Sequence, residues 1–140
     1  MTNTSDFSRS DTALLALRPI IATTDPPEAE ASVGHFLHAT LRPVLKLQND
    51  LLLLLVADFV RDHHLRLPPN LPEQQRQLTE LLARNTKLRY TIVGLITGQF
   101  TAAEYALYRS HRAELNRRLL ELAQRRVLDQ AATVVAVATA

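Results

Sequence analysis

The residues best suited to hold a metal are histidines in two pairs, His35 with His38 and His63 with His64, at opposite ends of one apolar stripe. Imidazole nitrogens bind transition metals when several converge on one point. At about 1.5 Å of rise per residue, a fairly straight helix would hold the pairs roughly 40 Å apart. They cannot share an ion without an extreme bend. Neither Glu-x-x-His nor His-Glu-x-x-His occurs, so the ligand motifs of di-iron bundles and zinc proteases are missing. Asp58 and Asp62 lie one turn apart and suit a weakly held cation, although acids at a helix end are ordinarily solvated. No metal and no cofactor is expected.

Nucleophile chemistry has equally little to work with. There is no cysteine, no Gly-x-Ser-x-Gly elbow and no glycine-rich phosphate loop, with three glycines in all. A sharper pattern is a layer of polar residues set into apolar stripes. If the helices on either side of Pro68 pair antiparallel, Gln48 to Asp50 come level with Asn85 to Arg89. A tight turn at Gly98 would then bring Arg112 to the same height. Buried charges must find partners, so Asp50, Asn85, Arg89 and Arg112 are expected to meet there, either as a structural network or as a site for an anion or small ligand.

A second set of candidates is electrostatic. Residues 1–75 hold six basic against nine acidic side chains, and residues 76–140 hold ten against five. Fourteen of the sixteen basic residues are arginine, the residue suited to forked recognition of carboxylates and phosphates. Arg109, Arg117, Arg118 and Arg125 make the last helix a candidate nucleic-acid surface. The order Thr101, Glu104, Ala106, Leu115, Arg118, Leu119 also echoes a helix-turn-helix. Ser110 stands where that motif needs its turn glycine, however, and Ser110 to Arg118 reads as unbroken helix, with Glu114 and Glu121 diluting the charge.

The elements that must position these residues are all helical. Residues 1–24 read as a polar arm, with Asp11 capping a short apolar turn that Pro19 ends. Asp25-Pro26-Pro27-Glu28 signals a helix start. From Val33 to Phe59 apolar residues recur at spacings of three and four, through Pro43, which predicts one long central helix kinked there, or two nearly collinear helices, ending near His64. Pro68 and Pro69 require a loop. Pro72 opens a helix whose stripe runs Leu78, Leu81, Leu82, Asn85, Leu88, Ile92, Leu95 and Ile96. Gly98 is the natural stop, able to take the left-handed conformation. Thr101-Ala102-Ala103-Glu104 is a capping box, with Phe100 and Tyr105 placed as a hydrophobic staple. The last helix then runs from Ala102 to at least Val127, and residues 131–140 are an apolar tail that extends it, frays or docks on a partner.

No stretch alternates with a period of two, so a sheet is not expected. The expectation is an all-α, single-domain bundle of three to four long helices over residues 25–130. The chain of 140 residues is long enough to bury one core without a covalent staple. Its N-terminus lacks the pattern of a secretory signal. Its longest apolar run, Leu51 to Ala57, is far short of the roughly 20 residues that cross a bilayer. A cytoplasmic setting is expected.

Two stretches carry a resemblance. Leu41-Arg42-Pro43-Val44-Leu45-Lys46-Leu47-Gln48-Asn49-Asp50 is the first. The second is Lys87-Leu88-Arg89 through Gly94, Gly98, Phe100, Thr101, Glu104 and Tyr105, joined by Leu115-Asn116-Arg117-Arg118. Together they resemble a family of short uncharacterised bacterial proteins, over roughly Phe36 to Val127. Members are sometimes labelled glyoxalase, but glyoxalase-type folds are built from βαβββ modules with His and Glu ligands on strands. The resemblance implies an all-helical fold and supplies no catalytic residues.

The function these features favour is binding or assembly without catalysis, as a homo-oligomer or with a protein partner. Two alternatives stand beside it, weak DNA binding through the arginine helix and small-ligand, anion or enzymatic use of the polar layer.

Overall fold

The computed structural model describes residues 8–21 and 32–140, and every regular element among them is helical. The Asp25 to Glu28 start signal lies outside the described residues. The arm forms one short helix, α1 (Asp11–Ala16), whose cap is the Ser10 side chain accepting from Ala13 N–H, one position before the expected Asp11. A serine oxygen satisfies the free N–H groups of a first turn as well as an aspartate does.

Three helical tracts follow, each divided into shorter helices, so the elements are more numerous than the three to four long helices expected. The first comprises α2 (Val33–Phe36), one π-helical turn at Leu37–Leu41, α3 (Arg42–Leu47) and α4 (Asn49–Asp62). Pro43 follows the π-helical turn within a continuous run of helical backbone, where it supplies no N–H to the preceding turn. The irregularity expected at Pro43 falls instead in the wide turn before it, closed by Arg42 N–H bonding to Leu37 C=O, and again at Gln48 (φ −92°, ψ 8°). The tract ends in a Schellman motif: Leu65 N–H bonds to Val60 C=O and His64 N–H to Arg61 C=O, with His64 at φ 53°.

The second tract is α5 (Leu71–Arg84) and α6 (Thr86–Thr97), separated by Asn85 in an extended conformation. Asn85 Oδ1 accepts from Leu88 N–H at 2.8 Å, so a residue expected on the stripe of one helix is the cap of a second. Asparagine is a poor interior helix residue and among the best caps. Gly98 ends α6 in the ordinary right-handed region (φ −61°, ψ −17°), not the left-handed one.

The third tract is α7 (Ala102–Ser110), α8 (Arg112–Asp129) and α9 (Ala131–Thr139). The capping box at its start is complete, with Glu104 N–H bonding to Thr101 Oγ1 and Thr101 N–H to Glu104 Oε1. The expected staple is not what closes it: Phe100 packs edge-on against Phe36 (5.4 Å between centroids) and Tyr108 (5.8 Å), while Tyr105 remains exposed. The helix predicted as unbroken is interrupted at His111. There Ser110 Oγ bonds back to Ala106 C=O and His111 Nδ1 to Leu107 C=O, competing for carbonyls that a regular helix uses itself. Gln130 Nε2 does the same to Arg126 C=O between α8 and α9. The apolar tail becomes α9, packed along α4 with Ala131 and Val134 buried.

One core unites the tracts, around Leu41, Leu45, Leu52 and Val56, then Leu78, Leu88, Ile92 and Ile96, then Leu115, Leu119 and Val127, all buried. The expected antiparallel pairing about Pro68 does not occur. Asn85, closing α5, hydrogen-bonds His63, closing α4 (3.1 Å), while Gln75 near the start of α5 donates to Leu128 C=O. Asn49, at the start of α4, pairs with Gln130 two residues further on. Both helices therefore begin near the α8–α9 junction and run in the same sense. The link between them holds Pro68 and Pro69, and extended chain at about 3.1 Å per residue carries six residues back nearly a helix length.

Three glycine exchanges test this backbone. A Cβ at Gly94 would meet nothing within 4 Å, so Gly94→Ala is expected to raise stability by about 1 kcal/mol. His64→Gly, relieving a left-handed histidine, is expected to do likewise, by about 1 kcal/mol. A Cβ at Gly98 would come 3.0 Å from Gly94 C=O, so Gly98→Ala should give no such gain. Urea denaturation of the three variants checks all three signs.

Candidate functional site

The four residues expected to form one polar layer are dispersed. Asp50 and Arg112 are exposed, while Asn85 and Arg89 are half-buried. Asn85 is spent on capping α6 and on His63, whose Nδ1 faces Phe59 C=O at 2.9 Å. Arg89 Nη1 donates to Leu82 C=O, satisfying a carbonyl at the end of α5. Arg112 donates to Tyr105 Oη at 3.3 Å and lies over the Tyr108 ring, 5.9 Å from its centre. No side-chain hydrogen bond or ion pair joins any two of the four among the described residues. The cause is the parallel course of α4 and α5: Asn85 sits level with His63, about 20 Å of helix away from Asp50.

The arginine candidates are all at the surface. Arg109 lies on α7, and Arg117, Arg118 and Arg125 lie on α8. The exposed charges of α8 are four arginines against Glu114, Glu121 and Asp129, and Arg117 pairs with Glu121 at 3.1 Å. A face so nearly neutral lacks the dense positive charge that phosphate backbones select. The interruption at His111 is a single residue, too short for the three- or four-residue turn of a helix-turn-helix. Among the described residues no three His, Cys, Asp or Glu side chains gather as a metal site. No described helix is long and apolar enough to cross a membrane.

What the fold does assemble is a groove of about 500 Å³ between α6 and α8, into which Thr86, Arg89 and Tyr90 project from one side and Asn116, Arg117 and Gln124 from the other. It brings one residue of each candidate set, Arg89 and Arg117, to a common depression. Asn116 is held there by Tyr108, whose hydroxyl donates to Asn116 Oδ1. Burial raises the Tyr108 hydroxyl above its ordinary pKa despite that hydrogen bond, so it stays protonated as a donor.

The best-built polar cluster forms around Glu104, which was not among the expected site residues. Arg18 grips its carboxylate with two hydrogen bonds of 2.6 Å, and Arg18 Nη2 also donates to Gln99 C=O at 2.8 Å. Thr40, from the π-helical turn, donates to the second carboxylate oxygen at 3.1 Å. The side chains of Arg18 and Glu104 are only 6% and 17% exposed. Burial alone would raise the Glu104 pKa, but the bonds from Arg18, the Thr101 backbone and Thr40 prevail and hold it below its ordinary value. A further arginine of the arm, Arg9, donates to Gly98 C=O at 2.8 Å. The arm is thus clamped on the α6–α7 turn by Arg9 and Arg18. The capping box was the only sequence signal pointing to this place; nothing local marked Arg18 or Thr40 as its partners.

A third polar node joins α4 to the last tract. Asn49 and Gln130 exchange amide hydrogen bonds of 2.9 and 2.8 Å, and Arg126 Nη1 approaches Asn49 Oδ1 at 3.3 Å. Desolvation lowers the Arg126 pKa, though a guanidinium remains charged throughout the accessible range.

Fold and site together define an all-α protein with a clamped N-terminal arm, a polar interhelical groove and a last tract whose six arginines outnumber its four acids. No protein family, curated protein or solved structure matches the chain.

The clamp predicts a pH dependence. A carboxyl whose pKa is lowered by folding adds stability that is complete above its unfolded value and is lost as pH falls through the folded one. Unfolding free energy should therefore decline below the ordinary carboxyl value of 4.5, and Glu104→Gln should flatten that decline. Arg18→Ala leaves the carboxylate without its cation and should cost about 3 kcal/mol at neutral pH. Urea titrations between pH 3 and 7 read both effects.

Proposed function

We propose that this protein is a helical binding and assembly protein that acts without catalysis and self-associates through the outer face of α4. The observation that carries this reading is a patch of leucines on a helix that is otherwise the most buried in the fold. Leu51 and Leu54 are 51% and 45% exposed, one turn apart, with Leu47 and Leu55 half-buried beside them. Single exposed leucines are ordinary, whereas a contiguous set on a rigid helix is the mark of a contact surface. The apolar tail does not supply this surplus, since α9 is already spent on α4.

A second copy of the chain is the occupant that fits. The patch has no charge at its centre, and its surroundings carry both signs, Lys46 and Arg61 with Asp50, Asp58 and Asp62. A two-fold contact sets like surfaces against each other, and mixed charge permits what a single-signed rim would repel. A place among short helical bacterial proteins and a cytoplasmic location are part of the same proposal.

Anion or small-ligand binding in the α6–α8 groove is the second reading, supported by Arg89 and Arg117 projecting into one depression beside Asn116. DNA binding has weaker support, because the acids of α8 offset most of its arginines.

Burying a half-exposed leucine gains about 1 kcal/mol. Four of them across a two-fold contact give about 4 kcal/mol, roughly a thousand-fold in dissociation constant. Light scattering is expected to show a dimer or larger species at micromolar concentration, and Leu51→Glu with Leu54→Lys is expected to yield a monomer of unchanged helical circular dichroism. A parent that is monomeric throughout that range, or a double variant that still associates, would overturn the reading.

A further inference from the structure

The clamped arm does more than cover the turn beneath it: between α1 and the α6–α7 turn it leaves a cleft of about 460 Å³. That volume lies within the range of small-molecule sites, about 300–1,000 Å³. Its walls are apolar, from Leu14 of the arm, Phe100 of the turn, and Tyr105 and Ala106 of α7, and Arg9 and Arg109 border it. The two arginines differ in their commitments. Arg9 is bound to Gly98 C=O, whereas Arg109 makes no hydrogen bond or ion pair among the described residues. Asp11 also lines the cleft, so the charge around it is two guanidiniums against one carboxylate.

From this arrangement we infer that the cleft binds a monocarboxylate with an unbranched apolar tail. The free Arg109 fork takes the carboxylate in a two-pronged contact, the geometry in which guanidinium and carboxylate match best. The tail lies between Leu14 and the Phe100 and Tyr105 rings. An excess of one positive charge suits a single negative head group, and a dianion would face Asp11. The cleft exists only while Arg18 and Arg9 hold the arm down, so ligand binding and arm docking are linked, each strengthening the other. No residue of the cleft belongs to the leucine face of α4, so the site stands or fails independently of self-association.

Titration calorimetry of the full chain with octanoate and decanoate below their micellar concentrations, with 1-decanol as the uncharged control, tests the inference. The expected result is saturable binding of one decanoate per chain, tighter than octanoate and at least tenfold tighter than decanol. Arg109→Ala should lose at least tenfold in decanoate affinity while keeping the preference for the longer tail. Ala106→Trp, which fills the cleft from an exposed helical position, should abolish binding with the fold intact by circular dichroism. Heat that persists in Ala106→Trp, equal affinity of Arg109→Ala and parent, or no saturable binding of either carboxylate would each overturn it.

Discussion

A carboxylate withdrawn from water must be fully partnered or it will not stay charged, and the packing of the arm, the first tract and the third tract is organised around meeting that requirement at Glu104. The residue belongs to a capping box, so one oxygen is already engaged with the Thr101 backbone. Packing of α7 against the Leu37–Leu41 turn then takes it out of solvent, and the remaining hydrogen-bonding capacity must be filled from elsewhere in the chain. Thr40 and Arg18 fill it. A π-helical turn is an irregular element that recurs at functional sites, and here it carries the threonine that completes the cluster. The arm, which buries no residue of α1 in the core, is ordered chiefly by this ion pair and by Arg9.

The divisions of the long helices follow a second common cause. At Ser110, His111 and Gln130 a side chain hydrogen-bonds a carbonyl within its own turn, and at Asn85 the side chain caps the helix that follows. Each such bond offers the backbone an alternative to the regular ladder at little net cost. The divided helices can then wrap one core instead of lying as straight rods, and α9 can return along α4. The freedom to bend comes from local polar chemistry; the direction of the bend comes from the apolar stripes.

The proposed function rests on what this wrapping leaves uncovered. The core consumes the apolar stripes of α5, α6, α8 and α9, but the broad apolar girth of α4 exceeds what its neighbours cover, and Leu51 and Leu54 remain at the surface. The arm spans the α6–α7 turn without filling the space beneath it. Of the arginines conspicuous in the sequence, Arg18, Arg61, Arg76 and Arg117 pair with acids, and Arg9 and Arg89 donate to helix-end carbonyls.

Helical class, the loop at Pro68 and the capping box at Thr101 and Glu104 were legible in the sequence because each depends on neighbours within about four residues: spacing, a missing N–H, a hydroxyl opposite a carboxylate. The breaks at Asn85, His111 and Gln130 depend on equally local bonds, yet apolar periodicity continues through them, so the pattern concealed them. The relative height of residues on different helices was not legible at all. Whether Asn85 meets Asp50 or His63 depends on the course of six residues around Pro68 and Pro69, and extended and folded-back links have the same composition. Arg18 and Glu104, 86 residues apart, meet only because the whole core brings the arm across the α6–α7 turn. Helical class and apolar faces are written in short-range spacing, whereas the meeting of polar groups belongs to the packed elements, because burial and pairing depend on neighbours brought from far along the chain.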